Sequence, residues 1–464
     1  MANVRHTHLF KIQNKYMKKS IIVVLMAAMS LSALAQNAVI KGKFKKLLPQ
    51  NLKADRVLFS KQEEGGLSPI SMALLSRQDQ SFSTQIPASD LNVIRYLGFE
   101  EDQYPVYMRA GEELTVDAAD GNIVYSGNLS KENQVFADWY KLVLPLRKFG
   151  HTRKGYTIPT ERLTATIDSL AGPVDTFIKS INTGNEAFDK YVKYMLPYSL
   201  RYDALLPIAS GLNFGRRDEY PAYFTNLFKN ETYSDKAIWT LPFGFDYIQT
   251  LGFSKHIIYN SQEGMTSELI IPEISNKELL AEVVLKEAKM GLSMDLVAFT
   301  TNNQKYMLTD AQKKEMKILA ERAKLKVPGG ATINFSYPDI NGKTRSLSDY
   351  RGKVVLLDVW ATWCAPCIAE QPALEALEKS FEGKNVVFIS LSIDTDKAKW
   401  KDMVDKKKLS GVHLFTNNKG TIVTDYEVTE VPRYILIDKE GKMVAFDAPR
   451  PSDPKLTELI NSKL

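Results

Sequence analysis

The stretch that decides the fold of the C-terminal part of the chain is Lys353–Leu374, KVVLLDVWATWCAPCIAEQPAL. An apolar run of strand length, Val354–Val359, is followed by Pro366 and then by apolar residues at helical spacing. This pattern predicts a buried strand that leads directly into a helix, with Pro366 at the first helical position. Cys364 and Cys367, the only two cysteines among 464 residues, lie at this junction.

The position of the two cysteines favours redox chemistry. A thiol at a helix N-terminus faces unpaired backbone N–H groups and the positive end of the helix dipole, and both stabilise a thiolate. We therefore expect Cys364 to be the exposed nucleophile that attacks a substrate disulfide. Cys367, one turn further along, is expected to be less exposed and to resolve the mixed disulfide. A bridge across so small a ring restrains little unfolded chain, which makes it a poor structural staple.

Asp358 interrupts the apolar strand six residues before Cys364. Its neighbours Leu357 and Val359 are apolar, so loss of solvent should raise the pKa of its carboxyl group toward the range useful for proton exchange. We expect Asp358 to accept the proton that Cys367 loses before it attacks. The alternatives are that Asp358 lies in water at a strand edge, or that it only caps the helix.

Two other roles remain open for the cysteines, metal binding and an inert or purely structural pair. A structural zinc site needs four ligands, whereas the sequence has no second Cys pair, and His151, His256 and His413 are scattered along it. We therefore predict no metal site and no cofactor.

The first 35 residues have the features of an export signal. A positive start at Met17–Lys19 precedes the apolar run SIIVVLMAAMSLSALA, which ends in small residues suited to cleavage before Gln36. Residues 1–16 are then an upstream extension, and either Met1 or Met17 can be the true start. The run is shorter than the roughly 20 residues of a membrane span. Membrane anchoring is expected only if the signal stays uncleaved.

The targeting segment also carries most of the net charge. Residues 1–35 contain five basic residues and no acid, so their removal lowers the formal net charge from +6 to +1. A nearly neutral chain without a basic stripe gives no basis for nucleic-acid binding.

The chain is long enough for two or three domains with separate cores. Six short runs with apolar–polar alternation predict a β-sandwich-like domain over residues 36–128. Apolar residues at three-and-four spacing predict an all-α region over residues 129–326, whose last helix is capped by Thr309. Strand and helix signals then alternate over residues 327–464, which begin with a helix-breaking Pro-Gly-Gly and an Asn341-Gly342 hairpin signal. They predict an α/β domain.

The segments VVLLDVWATWCAPC and GVHLFTNNKGTIVTDYEVTEVPRYILIDKEGKMV resemble the thioredoxin superfamily. Within it they resemble the exported TlpA/ResA-like thiol-disulfide oxidoreductases, over roughly residues 327–464. The resemblance implies a thioredoxin-like fold and a redox disulfide between Cys364 and Cys367. The segment YMRAGEELTVDAADGNIVYSGNLSKENQ resembles, more distantly, a β domain of uncharacterised function that precedes a helical spacer in a subgroup of these proteins.

The resemblance also implies roles for residues around the cysteines. Trp363 is similar to the family's active-site tryptophan, with a packing role as the alternative. Glu370 matches an acid that tunes the pKa of the cysteines in the ResA-like branch; otherwise it is a solvated helix residue. The remaining implied substrate-binding residues are Pro366, a cis peptide at Val431-Pro432, and Arg433, where many relatives carry Thr.

These observations lead to one hypothesis and two alternatives. The hypothesis is a reductant of disulfides in exported proteins, with apocytochrome c among the possible targets. It would lie in the periplasm or cell envelope of a Gram-negative bacterium and take electrons from an inner-membrane thiol donor. A reductant is favoured over an oxidant because the Ala365-Pro366 dipeptide lacks the His of strong oxidants. The alternatives are an envelope interaction protein that works through residues 36–326, and a thiol peroxidase.

Overall fold

The computed structural model describes residues 38–45, 56–99, 102–119, 122–150, 158–210, 220, 222–260, 269–293, 295–418, 420–424, 426, 428 and 430–464. The predicted export signal lies outside the described residues. The chain divides into two compact units, one that ends at Val283 and one that begins at Val284. The three domain boundaries expected from the sequence stay predictions.

The first unit begins with a β-sandwich, as expected. Its described strands are β1 (Ala38–Lys45), β2 (Arg56–Glu63), β3 (Gly66–Leu74), β4 (Ser81–Ile86), β5 (Ile94–Phe99), β6 (Asp102–Tyr107), β7 (Glu113–Ala119) and β8 (Asn122–Gly127). They form two four-stranded sheets with the orders β4-β1-β7-β8 and β3-β2-β5-β6. Phe44 joins the sheets, since its ring centroid lies 5.6 Å from that of Phe99 and 6.3 Å from that of Tyr104.

Strands β3 and β8 are absent from the six predicted runs. Pro69 in β3 argues against a strand, because proline cannot donate a ladder hydrogen bond. The structure accommodates Pro69 because β3 is an edge strand of its sheet. In β8 the apolar residues Ile123, Val124 and Tyr125 follow one another, so the run has no clear alternation.

Helices follow the sandwich, as the period of apolar residues predicts. Those described are α1 (Lys131–Gly150), α2 (Thr160–Ser180), α3 (Glu186–Ala209), α4 (Ala222–Asn230), α5 (Gly244–Asn260), α6 (Lys277–Met290), α7 (Leu296–Asn302) and α8 (Asp310–Lys326). Thr309 caps α8 with its side chain, as predicted. Helices α4, α5 and α7 lie within the predicted all-α region but outside the runs of helical spacing that predict it. Residues 247–251 of α5 are all buried, so this stretch lacks the alternation of exposed and buried positions that reveals a helical period.

The C-terminal part of the second unit is a mixed sheet with helices on both faces. A hairpin of β9 (Ser336–Pro338) and β10 (Thr344–Ser346) precedes it. The other elements are β11 (Val354–Trp360), α9 (Ala365–Ser380), β12 (Val386–Ser392), α10 (Lys397–Lys407), β13 (Val412–Phe415), α11 (Thr421–Thr424), β14 (Arg433–Ile437), β15 (Met443–Ala445) and α12 (Pro454–Asn461). The strand order is β13-β12-β11-β14-β15, in which β14 runs antiparallel to β11. This is the thioredoxin-like arrangement that the sequence predicts.

Strand β11 lies at the centre of this sheet and is buried along its whole length. Val355, Leu357 and Val359 point into one core, which also contains Trp400. Val354 and Leu356 belong to the opposite core, with Leu377 of α9 and with Leu456 and Ile460 of α12. Successive side chains of a strand alternate between faces, so Asp358 lies on the face that α9 and α12 cover.

We predict that Leu391→Ala lowers the free energy of unfolding of the second unit by about 2–5 kcal/mol, because it leaves a cavity in a packed core. Leu391 is fully buried in β12. Urea unfolding of the full chain, followed by tryptophan fluorescence, measures the change. Leu308→Ala, at an exposed position of the same unit, is the control and should change the free energy by less than about 0.5 kcal/mol. Equal effects of the two substitutions would contradict the packing described here.

Candidate active site

Cys364 and Cys367 form a disulfide at the N-terminus of α9, with an S–S distance of 2.04 Å. Cys364 is the N-cap residue, and its Sγ accepts a hydrogen bond from the Cys367 backbone N–H at 3.2 Å. Pro366 is the second residue of the helix, one position later than predicted. The backbone N–H groups in the first turn of α9 lack partners within the helix. They therefore favour negative charge on Cys364 Sγ once the disulfide is opened.

The two cysteines are equally buried, and here the sequence-based expectation is wrong for the disulfide form. Each is 4% exposed, and both belong to the core cluster on one face of the sheet. Packing around the start of α9 therefore covers Cys364 as fully as Cys367. Trp363, immediately before the pair, is 67% exposed. Its exposure argues against the alternative in which it serves packing alone.

Asp358 is buried in β11, between β12 and β14. Burial raises the pKa of its carboxyl group from 3.8 to about 7, and a hydrogen bond from Ser390 opposes this rise. The Ser390 hydroxyl lies 3.3 Å from Asp358 Oδ2, whereas Oδ1 has no hydrogen-bond partner among the described residues. A central buried strand excludes both alternatives considered for this acid, the solvated strand edge and the helix cap.

Sequence reasoning missed two polar residues that share the face of Asp358. Ser390 of β12 pairs with Asp358, and His413 of β13 pairs with Ser390. Each interrupts an apolar strand, ISLS or VHLF, as Asp358 interrupts its own. The signal that identified Asp358 could therefore have identified both. The alignment of the three was not available from sequence, because it depends on the register between strands.

Asp394 is a third missed residue, and it holds the turn that leads to Cys364. Its carboxylate accepts hydrogen bonds from the Thr362 backbone N–H at 2.9 Å and from the Thr362 hydroxyl at 2.7 Å. Ser392 donates to the same carboxylate at 2.7 Å. Asp394 is buried, and its carboxylate accepts from three donors. The hydrogen bonds from Thr362 therefore hold the backbone before the cysteine pair against the end of β12.

Glu370, in α9, accepts two hydrogen bonds from Ser452, one from its backbone N–H at 3.1 Å and one from its hydroxyl at 3.0 Å. These bonds tie α9 to the segment before α12. Glu370 is therefore more than a solvated helix residue. Its role in tuning the cysteines stays a prediction.

The peptide bond Val431-Pro432 is cis, as the family resemblance implies. Arg433 follows it at the start of β14. Its guanidinium forms an ion pair with Asp447, Nη1 to Oδ1 2.7 Å, and lies 5.6 Å from the centroid of the Phe446 ring. The positive charge expected beside the substrate groove is therefore already paired within the chain.

The described residues give no sign of a metal site or a membrane span. Within them, no three His, Cys, Asp or Glu side chains converge on a point that could hold a metal ion. No helix in the same part of the chain is long and apolar enough to cross a membrane.

Comparison with known proteins identifies the family to which this site belongs. Residues 328–446 match the AhpC/TSA family. The thiol-disulfide oxidoreductase ResA of Bacillus cereus is 36% identical over 126 residues, which cover 27% of this chain and 71% of that protein. ResA of Bacillus anthracis is 34% identical, with the same coverage of each chain. The chain belongs to the ResA thiol-disulfide oxidoreductase family.

Solved structures with similar C-terminal parts carry related descriptions. A candidate thiol-disulfide oxidoreductase from Bacteroides vulgatus is 40% identical, covers 30% of this chain and 99% of its own, and has a TM-score of 0.29. A thiol-disulfide oxidoreductase from Bacteroides fragilis is 27% identical, covers 29% and 99%, and has a TM-score of 0.27. Its membership of the ResA family, and not these structures, makes the protein an enzyme of the thiol-disulfide oxidoreductase class, which acts on substrates that carry disulfides.

We predict that Asp358→Asn stabilises the oxidised protein above pH 7 and has little effect at pH 4. The folded protein keeps the Asp358 proton up to about pH 7, whereas the unfolded chain loses it near pH 3.8. Stability therefore falls as the pH rises through this interval, by about 4 kcal/mol in total. Asparagine carries no charge and avoids this loss.

Urea unfolding of the oxidised full chain at pH 4, 6 and 8 measures the difference between Asp358→Asn and the wild type. Asp402→Asn, at the surface of α10, is the matched control and should leave the pH dependence unchanged. A constant difference between Asp358→Asn and the wild type at all three pH values would show that Asp358 titrates normally.

Proposed function

We propose that this protein is an exported reductant of protein disulfides that works through the Cys364–Cys367 dithiol. The observation that carries the proposal is the juxtaposition, within one strand–helix unit, of a disulfide at a helix N-terminus and a buried Asp358 with a pKa of about 7. A helix N-terminus favours the thiolate. A buried carboxyl group with a pKa near neutrality can exchange protons at physiological pH.

In the proposed reaction Cys364 thiolate attacks one sulfur of a substrate disulfide, and the other substrate sulfur leaves as a thiolate. Cys367 then gives its proton to the Asp358 carboxylate. The Cys367 thiolate attacks Cys364 Sγ, which releases the second substrate thiolate and forms the protein disulfide. Two electrons pass to the substrate, and its thiolates take up protons from water. A dithiol donor returns the enzyme to the reduced state.

The proposed substrate groove lies beside the cysteines. Trp363 supplies an exposed aromatic face, and Pro366 lies in the helical turn that carries both cysteines. Val431 and Pro432 would pair their backbone with an extended segment around the substrate cysteine. Arg433 is held by Asp447, so we expect it to shape the groove more than to attract acidic substrates.

The partners and location follow from the dipeptide between the cysteines and from the export signal. Ala365-Pro366 lacks the His that stabilises the thiolate in strong oxidants, which favours reduction. A reductant in the periplasm or cell envelope needs a thiol donor in the inner membrane. Its substrates would be exported proteins with unwanted disulfides, with apocytochrome c as one candidate.

A thiol peroxidase is the second candidate, favoured by the match of residues 328–446 to the AhpC/TSA family. A peroxidatic cysteine would require a Pro-x-x-x-Thr/Ser-x-x-Cys context. Residues 354–363, ahead of Cys364, contain no proline. The reductase is therefore the better-supported function.

We predict that the wild-type protein reduces insulin with dithiothreitol as donor and does not consume hydrogen peroxide at a comparable rate. Cys364→Ser should abolish insulin reduction, because the attacking sulfur is lost. Cys367→Ser should stop after the first attack and accumulate a mixed disulfide on Cys364, visible by non-reducing electrophoresis and mass spectrometry. The two variants control for each other. Peroxide turnover without insulin reduction would support the peroxidase instead.

The redox potential distinguishes a reductant from an oxidant. We expect equilibration with glutathione buffers to give a value nearer to the −270 mV of thioredoxin than to the roughly −120 mV of a strong oxidant. The fraction of dithiol is measured by alkylation and mass shift. A value near −120 mV would reverse the proposed direction of electron flow.

A further inference from the structure

Asp358, Ser390 and His413 form a row across three neighbouring strands. Asp358 of β11 pairs with Ser390 of β12, and Ser390 pairs with His413 of β13. All three residues line one small cleft, together with Glu375 and Glu378 of α9. Neither cysteine lines this cleft. A buried carboxyl group and a buried imidazole therefore line a cleft that is separate from the disulfide.

The hydrogen bonds of His413 identify its free nitrogen. His413 is 5% exposed, and its Nε2 lies 2.7 Å from the Ser410 carbonyl oxygen. A carbonyl oxygen only accepts hydrogen bonds, so Nε2 carries the proton and Nδ1 is a bare acceptor. Nδ1 has no partner among the described residues, and neither has Asp358 Oδ1. Two residues that line the same cleft thus each have one buried atom without a partner in the described part of the chain, and the two atoms have complementary proton chemistry.

We infer that His413 takes up the proton that Asp358 releases in each turnover and passes it to solvent. This inference rests on the proposed reductase function. The O–H bond of the Asp358 carboxyl group breaks, an N–H bond forms at His413 Nδ1, and the proton then moves to water; no electrons are transferred. Ser390 holds Oδ2, which leaves Oδ1 for the exchange. A water in the cleft would span the gap between Oδ1 and Nδ1.

The neighbouring groups suit a transient positive charge on His413. Burial lowers the pKa of His413 below its ordinary value, so the ring is neutral at pH 7 and able to accept a proton. From α9, Glu375 and Glu378 face the cleft, and Glu378 accepts a hydrogen bond from the Ser410 hydroxyl at 2.6 Å. These two carboxylates would stabilise the imidazolium form.

Other titratable groups lie nearer to Asp358 or at the mouth of the cleft. Tyr434 of β14 has a raised pKa, mainly through burial and then through the charges of Asp358 and Glu370, and stays protonated. Lys407 donates to Gln371, which also lines the cleft. None of these is a neutral base aligned with Asp358 and Ser390, so His413 is the group suited to the relay.

The test uses the full-length protein in multiple turnovers with a disulfide peptide and excess dithiothreitol, from pH 5.5 to 8.5, because Asp358 must release its proton before it can accept another. We expect His413→Ala to slow turnover about tenfold at pH 7, less than the roughly 10²–10⁴-fold effect of a direct general base, because His413 acts on the reaction only through Asp358. Added imidazole should restore the rate in proportion to its concentration. In the Asp358→Asn background, His413→Ala should have no further effect. His413→Gln fills the site without a base and should be slow and insensitive to imidazole.

Leu409→Ala, which alters the same cleft without removing a base, is the matched control and should keep the wild-type rate and pH profile. Wild-type rates in both His413→Ala and His413→Gln would overturn the inference. So would a loss that imidazole does not restore and that persists in the Asp358→Asn background, since that pattern indicates a structural role. Failure of the wild type itself to reduce any disulfide would instead overturn the proposed function.

Discussion

Burial of the Asp358 carboxyl group at the centre of a sheet is the constraint on which the site depends. Burial raises its pKa to about 7, and α9 and α12 pack over this face of the sheet. Strand β11 runs directly into the turn that ends at Cys364. The acid and the disulfide are therefore held by one continuous strand–helix segment.

Hydrogen bonds from other segments hold the turn before Cys364 and the helix α9 that follows it. Asp394, after β12, accepts from the turn residue Thr362, and Glu370 of α9 accepts from Ser452 before α12. Both carboxylates accept hydrogen bonds from more than one donor, whereas one oxygen of Asp358 has no partner within the described part of the chain. Asp394 and Glu370 therefore support the fold, whereas Asp358 is the acid available for proton exchange.

Local pattern was enough to predict much of the fold. The apolar run before the cysteines identified β11, the Thr309 cap identified the start of α8, and Asn341-Gly342 identified the hairpin of β9 and β10. The failures have physical causes. Pro69 concealed edge strand β3, and the burial of residues 247–251 concealed the period of α5. The burial of Cys364 was missed because it depends on tertiary packing around the start of α9, which no local pattern encodes.

By itself the sequence determined the chemistry of this protein: a dithiol at a helix N-terminus, with an acid in the strand before it. These features can be predicted locally, because the pattern of residues adjacent in sequence indicates where a strand ends and a helix begins. Tertiary structure alone decided which polar groups meet. Ser390 and His413 lie 32 and 55 positions beyond Asp358, and only the register of β11, β12 and β13 brings the three into one row. Such pairing follows from long-range packing of the sheet, which no local pattern encodes.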